Sequence, residues 1–156
     1  MHAAELLLER EGLAALTMRR LADELGIRAP SLYKHVRSKE DIVLALQARA
    51  LREQAEVLSG ARDLRSLAAA YRAWAREHPR LYELISRHSL DRSRLPQGLE
   101  DAAAAPLMAM VDHDVTVARA LWACAHGLVD LELAGRFPAD ADIDAVWAIV
   151  VQRFQG

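Results

Sequence analysis

Met18-Arg19-Arg20-Leu21-Ala22-Asp23-Glu24-Leu25-Gly26-Ile27-Arg28-Ala29-Pro30-Ser31-Leu32-Tyr33-Lys34-His35-Val36 reads as two short helices joined by a tight turn. Two helices that cross closely need a small residue at the crossing, and Ala22 supplies it. A turn this abrupt needs a residue that tolerates positive φ, and Gly26 supplies that. Leu21, Leu25, Ile27, Leu32 and Val36 are expected to close a miniature core. With Leu32 and Val36 turned inward four residues apart, Ser31, Tyr33, Lys34 and His35 are left on the outer surface of the second helix.

Outward from this stretch, helix punctuation recurs. Gly12 closes a first helix, Thr17 caps the second, Gly26 closes it, and Pro30 suits the first turn of the third. Ser38-Lys39-Glu40-Asp41 reads as a cap with acids in the first turn, opening a long helix that ends near Leu58. The pattern then predicts a helix from Arg62 to Glu77, a break at His78-Pro79, a short helix to Arg87, and a loop from Asp91 to Gly98. Further helices are expected up to Asp112, from Asp114 to Ala134 and, after a turn at residues 135–140, up to Phe154. Residues of high β propensity never alternate with polar ones over a useful length, so the fold class is all-α. The expected organisation is an N-terminal three-helix domain containing the helix-turn-helix, residues 1–48, joined by the long helix to a helical C-terminal domain, residues 49–156.

The chain of 156 residues, 53% hydrophobic and 27% charged, is long enough to bury one good core or a small domain joined to a medium one. Its net charge of −2 hides an asymmetry: residues 1–39 carry seven Lys/Arg against five Asp/Glu, and residues 40–156 carry thirteen against seventeen. A basic N-terminal element on an acidic body suits a module that touches phosphate at one end. Cys124 is the single cysteine, which excludes an intrachain disulfide and fits a reducing compartment; it is expected to be an inert, buried thiol. The N-terminus lacks the basic region of a signal peptide, and apolar runs such as Ala102 to Val111 fall short of the roughly 18 residues of a membrane span. A cytoplasmic location without membrane contact is the expectation. No glycine-rich phosphate loop, paired-cysteine spacing or Gly-x-Ser-x-Gly motif occurs, so the sequence gives no support to an enzyme, a metal site or a cofactor.

The second helix of the pair is the one expected in the major groove of DNA. Hydroxyls on Ser31 and Tyr33, the Lys34 cation and the His35 imidazole suit phosphate contacts. Arg28, just before that helix, is the candidate reader of guanine, since a guanidinium bonds both acceptors on that base edge. Thr17 and Lys39 lie at helix N-termini, where backbone amides favour an anion. Ala29 and Leu32 complete the candidate DNA-binding set.

The stretch Gly12 to Ala22, followed by Ala29-Pro30-Ser31-Leu32-Tyr33-Lys34-His35-Val36-Arg37-Ser38-Lys39-Glu40-Asp41-Ile42, resembles the N-terminal signature of tetracycline-repressor (TetR) family transcriptional regulators. Leu121-Trp122-Ala123-Cys124-Ala125-His126-Gly127-Leu128 resembles a Trp, His-Gly (WHG-type) pattern of one subgroup of C-terminal domains. The resemblance implies a homodimer that binds a near-palindromic operator in double-stranded DNA, usually represses, and releases DNA when a small molecule enters the C-terminal domain. Against the family, the chain looks short at its N-terminus: Ala3-Ala4-Glu5-Leu6-Leu7-Leu8 already reads as mid-helix, so the basic arm is missing. A helical interaction module that has lost DNA binding is therefore the alternative reading.

The helix from Asp114 to Ala134 has polar Arg119, His126 and Asp130 on one narrow stripe and apolar residues round most of the rest, so it should be buried on more than one side. The last helix is similar. A two-fold four-helix interface covers both, with Leu121, Gly127, Leu128, Leu131, Val146, Trp147 and Val150 as candidate dimer contacts. Tyr71, Trp74, Tyr82, Met108, Met110, Trp122 and His126 are candidates for contacts to an unidentified, mainly apolar effector. His126 and Asp130, one turn apart without a third ligand, read as a hydrogen-bonded pair rather than a metal site.

Overall fold

In the computed structural model, which describes residues 1–154, no strand occurs among the described residues. The helices are α1 (His2–Glu11), α2 (Met18–Glu24), α3 (Ala29–Leu32), α4 (Lys39–Ser59), α5 (Leu64–Glu77), α6 (Pro79–Ser86), α7 (Leu99–Met110), α8 (Val115–Leu133) and α9 (Ile143–Phe154). The expected loop at Asp91–Gly98 contains a single 3-10 turn, Arg92–Arg94. Of the C-terminal range expected from sequence, Gln155 and Gly156 lie outside the described residues. Contacts gather the helices into two units, Met1–Arg52 with His78–Leu99, and Glu53–Glu77 with Glu100 onward. Residues 78–99 thus fold with the N-terminal helices, which a division of the chain into two consecutive blocks does not convey.

The first unit is built on stripes of spacing three and four. Ala4, Leu7 and Leu8 of α1, Ile42, Leu46 and Ala50 of α4, and Leu81 and Leu84 of α6 are all buried. Each buried leucine contributes about 1.5–3 kcal/mol relative to exposure. Helix α6 begins without help from its own N-cap, His78, and its first residue Pro79 has no N–H. The exposed amides of its first turn are met instead by Glu9 of α1, which accepts from the backbone N–H of Arg80 at 3.2 Å and of Leu81 at 2.9 Å. At the other end of α6, Gln47 of α4, 2% exposed, donates through Nε2 to the carbonyls of Leu84 at 3.1 Å and Ser89 at 3.2 Å. A helix only eight residues long is held at both ends by side chains from elsewhere in the sequence. Glu9→Ala should therefore cost about 1 kcal/mol, a fall in melting temperature of about 3 °C. A calorimetric scan that leaves the melting temperature unchanged would show that the cap contributes nothing.

Helix α2 starts on Thr17, whose Oγ1 accepts from the Arg20 amide at 3.2 Å. It ends in a Schellman arrangement: with Gly26 at φ +65°, its N–H reaches the Asp23 carbonyl at 3.0 Å and the Ile27 N–H reaches the Ala22 carbonyl at 3.0 Å. Ala22, the small residue expected at the crossing, is 1% exposed. The miniature core is smaller than the sequence suggests. Leu21 and Leu32 are each 4% exposed and Val36 is half-buried, but Leu25 is 46% and Ile27 39% exposed. Helical periodicity stops at Glu24, so positions 25 and 27 flank the turn instead of falling on the inward stripe. Helix α3 is a single turn long. After Leu32 the chain tightens, with Lys34 N–H on Ser31 O and His35 N–H on Leu32 O, while Val36 N–H still reaches Leu32 O at 3.0 Å.

In the second unit α5 buries Leu64, Leu67, Tyr71, Trp74 and Ala75 and packs on α8 and α9, which pack on each other. Asp114 caps α8, its carboxylate accepting from the amides of Thr116 at 2.8 Å and Val117 at 3.0 Å. Asp112 at φ 49° and His113 at φ 61° turn the chain between α7 and α8 through the left-handed region. Asp and His enter it more readily than β-branched residues do.

Candidate nucleic-acid interface

Of the residues expected to meet DNA, Thr17, Arg28, Ser31, Tyr33, Lys34 and His35 are exposed, Tyr33 at 54%. Arg28 is the N-cap residue of α3, Tyr33 its C-cap, and Lys34 and His35 occupy the tight turn that follows. Ala29 and Lys39 are half-buried. Leu32 lies in the core and holds α3 in place from behind, so it does not belong to the outer face. Lys39 Nζ donates to the Leu13 carbonyl at 2.9 Å, tying the start of α4 to the loop after α1 and leaving two of its three N–H donors. The Ser38 hydroxyl accepts from the Asp41 amide at 3.2 Å, an N-cap bond, and the Glu40 carboxyl is held below its ordinary range first by its own backbone amide and then by the Ser38 side chain.

Two glutamates near this face are already engaged. Arg10 grips Glu24 with two hydrogen bonds of 3.1 and 3.0 Å, and Arg20 holds Glu11 at 2.7 and 2.6 Å. The hydrogen bond from Arg10 is the leading reason that both carboxyls sit below the ordinary glutamate range. Arg19, Arg28, Lys34 and Arg37 are exposed and make no ion pair among the described residues. The neutralised glutamates thus leave a local excess of uncommitted positive charge, which is what a phosphate backbone requires. Arg19 and Arg37 are exposed cations of the same stretch that spacing did not single out. Glu9 and Gln47, which hold α6, were missed altogether, because nothing in local sequence marks a partner 72 or 37 residues away.

The residues read as effector contacts are dispersed. Tyr71 and Trp74 are buried on α5, at 8% and 3% exposure, and Met108 and Met110 are half-buried on α7. Tyr82 is buried on α6 and belongs to the first unit. Trp122 is 52% exposed and stacks on His126 with ring centroids 5.8 Å apart. The buried stripe of α8 runs through Ala118, Leu121 and Val129, and Trp122 lies about 100° round the helix from Leu121. The residues read as dimer contacts also divide. Leu121 and Trp147 are buried within the protomer; Gly127, Leu128, Val146 and Val150 are half-buried; Leu131 is exposed. Val115, Leu133 and Ile149 add to the exposed apolar surface of α8 and α9. A Cβ built on Gly127 would meet nothing within 4 Å. Cys124 is exposed, not buried as expected, since it too lies off the inward stripe of α8.

An N-terminal helix-turn-helix with free cations, followed by a helical unit with an apolar outer face, defines a DNA-binding regulator. Residues 1–46 match the family model for bacterial regulatory proteins of the tetR family, and residues 64–154 match that for the tetracyclin repressor-like C-terminal domain. An HTH-type transcriptional regulator of Mycobacterium tuberculosis is 34% identical over 94% of this chain and 73% of its own. The crystal structure of regulatory protein SCO4313 superposes with a TM-score of 0.78 at 25% identity, over 98% of this chain and 93% of that one. A variant of TetR from Acinetobacter baumannii AYE, solved in complex with minocycline, has a TM-score of 0.64 at 23% identity, over 99% and 89% of the two chains. The chain belongs to the TetR family of transcriptional regulators, which act by binding DNA and not by catalysis. No described helix is long and apolar enough to cross a membrane.

Proposed function

We propose that the chain is a cytoplasmic, ligand-responsive repressor that binds a near-palindromic operator as a homodimer, with residues 1–48 reading DNA and residues 49–156 holding effector and partner. The observation that carries this reading is the exposed set around α3, with its unpaired cations and with Glu24 and Glu11 beside it neutralised. In this reading Arg28 reads guanine, Ser31, Tyr33, Lys34 and His35 contact phosphate, and Thr17 and Lys39 contribute at helix starts. The exposed apolar residues of α8 and α9 support a second copy as the partner. For the effector, the minocycline complex of the Acinetobacter TetR is the precedent. Buried Tyr71 and Trp74 with the adaptable Met108 and Met110 are the contacts this reading favours.

An effector can release DNA only by binding the arrangement that does not fit DNA more tightly than the one that does. A hundredfold preference, about 2.7 kcal/mol, suffices for a sensitive switch. The test is a thermal-shift screen of small apolar metabolites, followed by operator release measured by fluorescence anisotropy. At least one compound that raises the melting temperature should release the duplex, with a midpoint that moves in Trp74→Phe. If every stabilising compound leaves the duplex bound, the chain is not ligand-responsive.

A further inference from the structure

Between α5 and α9, within the second unit, lies a pocket of about 130 Å³ that none of the effector candidates lines except through their shared helix. Its origin is a repeated spacing. Arg65, Ala68, Ala69 and Arg72 of α5 face Asp144, Trp147 and Ala148 of α9, each set at steps of three and four. The alanines are too small to fill the space between the helices, so an apolar floor remains beneath two guanidinium groups. The volume is close to the roughly 150 Å³ that accepts a benzene-sized molecule.

The charges around it are not equivalent. Glu132 of α8, 12% exposed, accepts from Arg72 Nε at 3.0 Å and from Trp147 Nε1 at 2.6 Å. That bond, together with the Trp147 ring 5.8 Å beneath the Arg72 guanidinium, fixes the direction of Arg72. The other side of the guanidinium carries Asp144, whose side chain is 86% exposed. An ion pair so open to water is weak and exchangeable. Arg72 therefore has one permanent carboxylate and one that a competitor can replace.

We propose that this pocket binds a small organic carboxylate with a single-ring or similarly sized apolar body. The ligand carboxylate takes the place of Asp144 on Arg72 and gains Arg65 at the rim, and its body lies against Trp147 and the alanine floor. The site leaves the Val146, Ile149 and Val150 side of α9 uncovered, so it is compatible with a partner protomer there.

Sodium benzoate is the probe, with benzamide as its uncharged counterpart, titrated into the full chain without DNA and followed by the Trp147 indole N–H resonance and by calorimetry. The absence of DNA keeps the result independent of the operator reading. Benzoate should shift that resonance with a dissociation constant on the order of a millimolar, and benzamide should not. Arg65→Gln should weaken benzoate at least fivefold. Ala148→Leu, which fills the floor, should abolish binding, and Asp144→Asn, which removes the internal competitor, should tighten it severalfold. All three positions are exposed, so the variants should melt as the wild type does. Equal shifts from benzamide, unchanged benzoate affinity in Ala148→Leu, or weaker binding in Asp144→Asn would overturn the proposal.

Discussion

Arg28→Ala combined with Tyr33→Ala should lower affinity for operator DNA by at least a hundredfold while leaving the melting temperature of the free protein in place. Both side chains are exposed, so their removal creates no cavity and orphans no buried group. Loss of a guanidinium that bonds guanine at two points costs about 1–3 kcal/mol and relaxes preference at that base. In a dimer the loss occurs in both half-sites. Lys34→Ala should behave differently, weakening all duplexes about equally and reducing the slope of affinity against salt by about one per half-site. Fluorescence anisotropy across a salt series separates the two effects. Wild-type affinity in the double variant would remove the α3 region from the interface.

The second large effect concerns assembly. Leu131→Glu with Ile149→Glu should convert a dimer into a folded monomer in light scattering. Leu131 is 42% and Ile149 58% exposed in the protomer, so glutamate there is solvated when the chain is alone and desolvated only when a second copy covers it. A charge left unpaired in a buried interface is costly enough to separate the subunits. Leu121 and Trp147, named from sequence as interface residues, are poor choices for this test because both are buried within the protomer and their replacement would damage its own core. A double variant that remains dimeric would move the interface away from these faces of α8 and α9. DNA binding by the monomer should fall steeply, since each half-site then acts alone.

The contrast between those pairs shows where sequence reasoning runs out. Helix ends were legible because Thr17, Gly26, Ser38, Asp114 and Gly135 act through bonds to amides and carbonyls a few residues away. The existence of an apolar surplus on α8 and α9 was legible from periodicity. Which apolar residues face the protomer's own core and which face outward was not, because α5 chooses the side, and α5 lies far away in sequence. Trp122 and Leu121 are neighbours with opposite fates for that reason. The same limit hid Glu9 and Gln47. At the candidate DNA face, residue types sufficed to name Arg28, Ser31, Tyr33, Lys34 and His35, but not to find that Lys39 is drawn onto the Leu13 carbonyl, nor that Arg10 and Arg20 silence Glu24 and Glu11.

On the proposed function this chain reads a two-fold symmetric DNA site. The most direct test of that reading is selection of duplexes from a random pool by the wild-type protein at physiological salt, with sequencing of the retained fraction. The retained fraction should be enriched in an inverted repeat whose half-site centres lie about one helical turn apart, on the order of 34–36 Å, and that enrichment should be lost in Arg28→Ala, Tyr33→Ala. A folded, dimeric protein that enriches no sequence over the starting pool would contradict it, and would leave a helical interaction module that has kept the regulator's fold without its DNA reading.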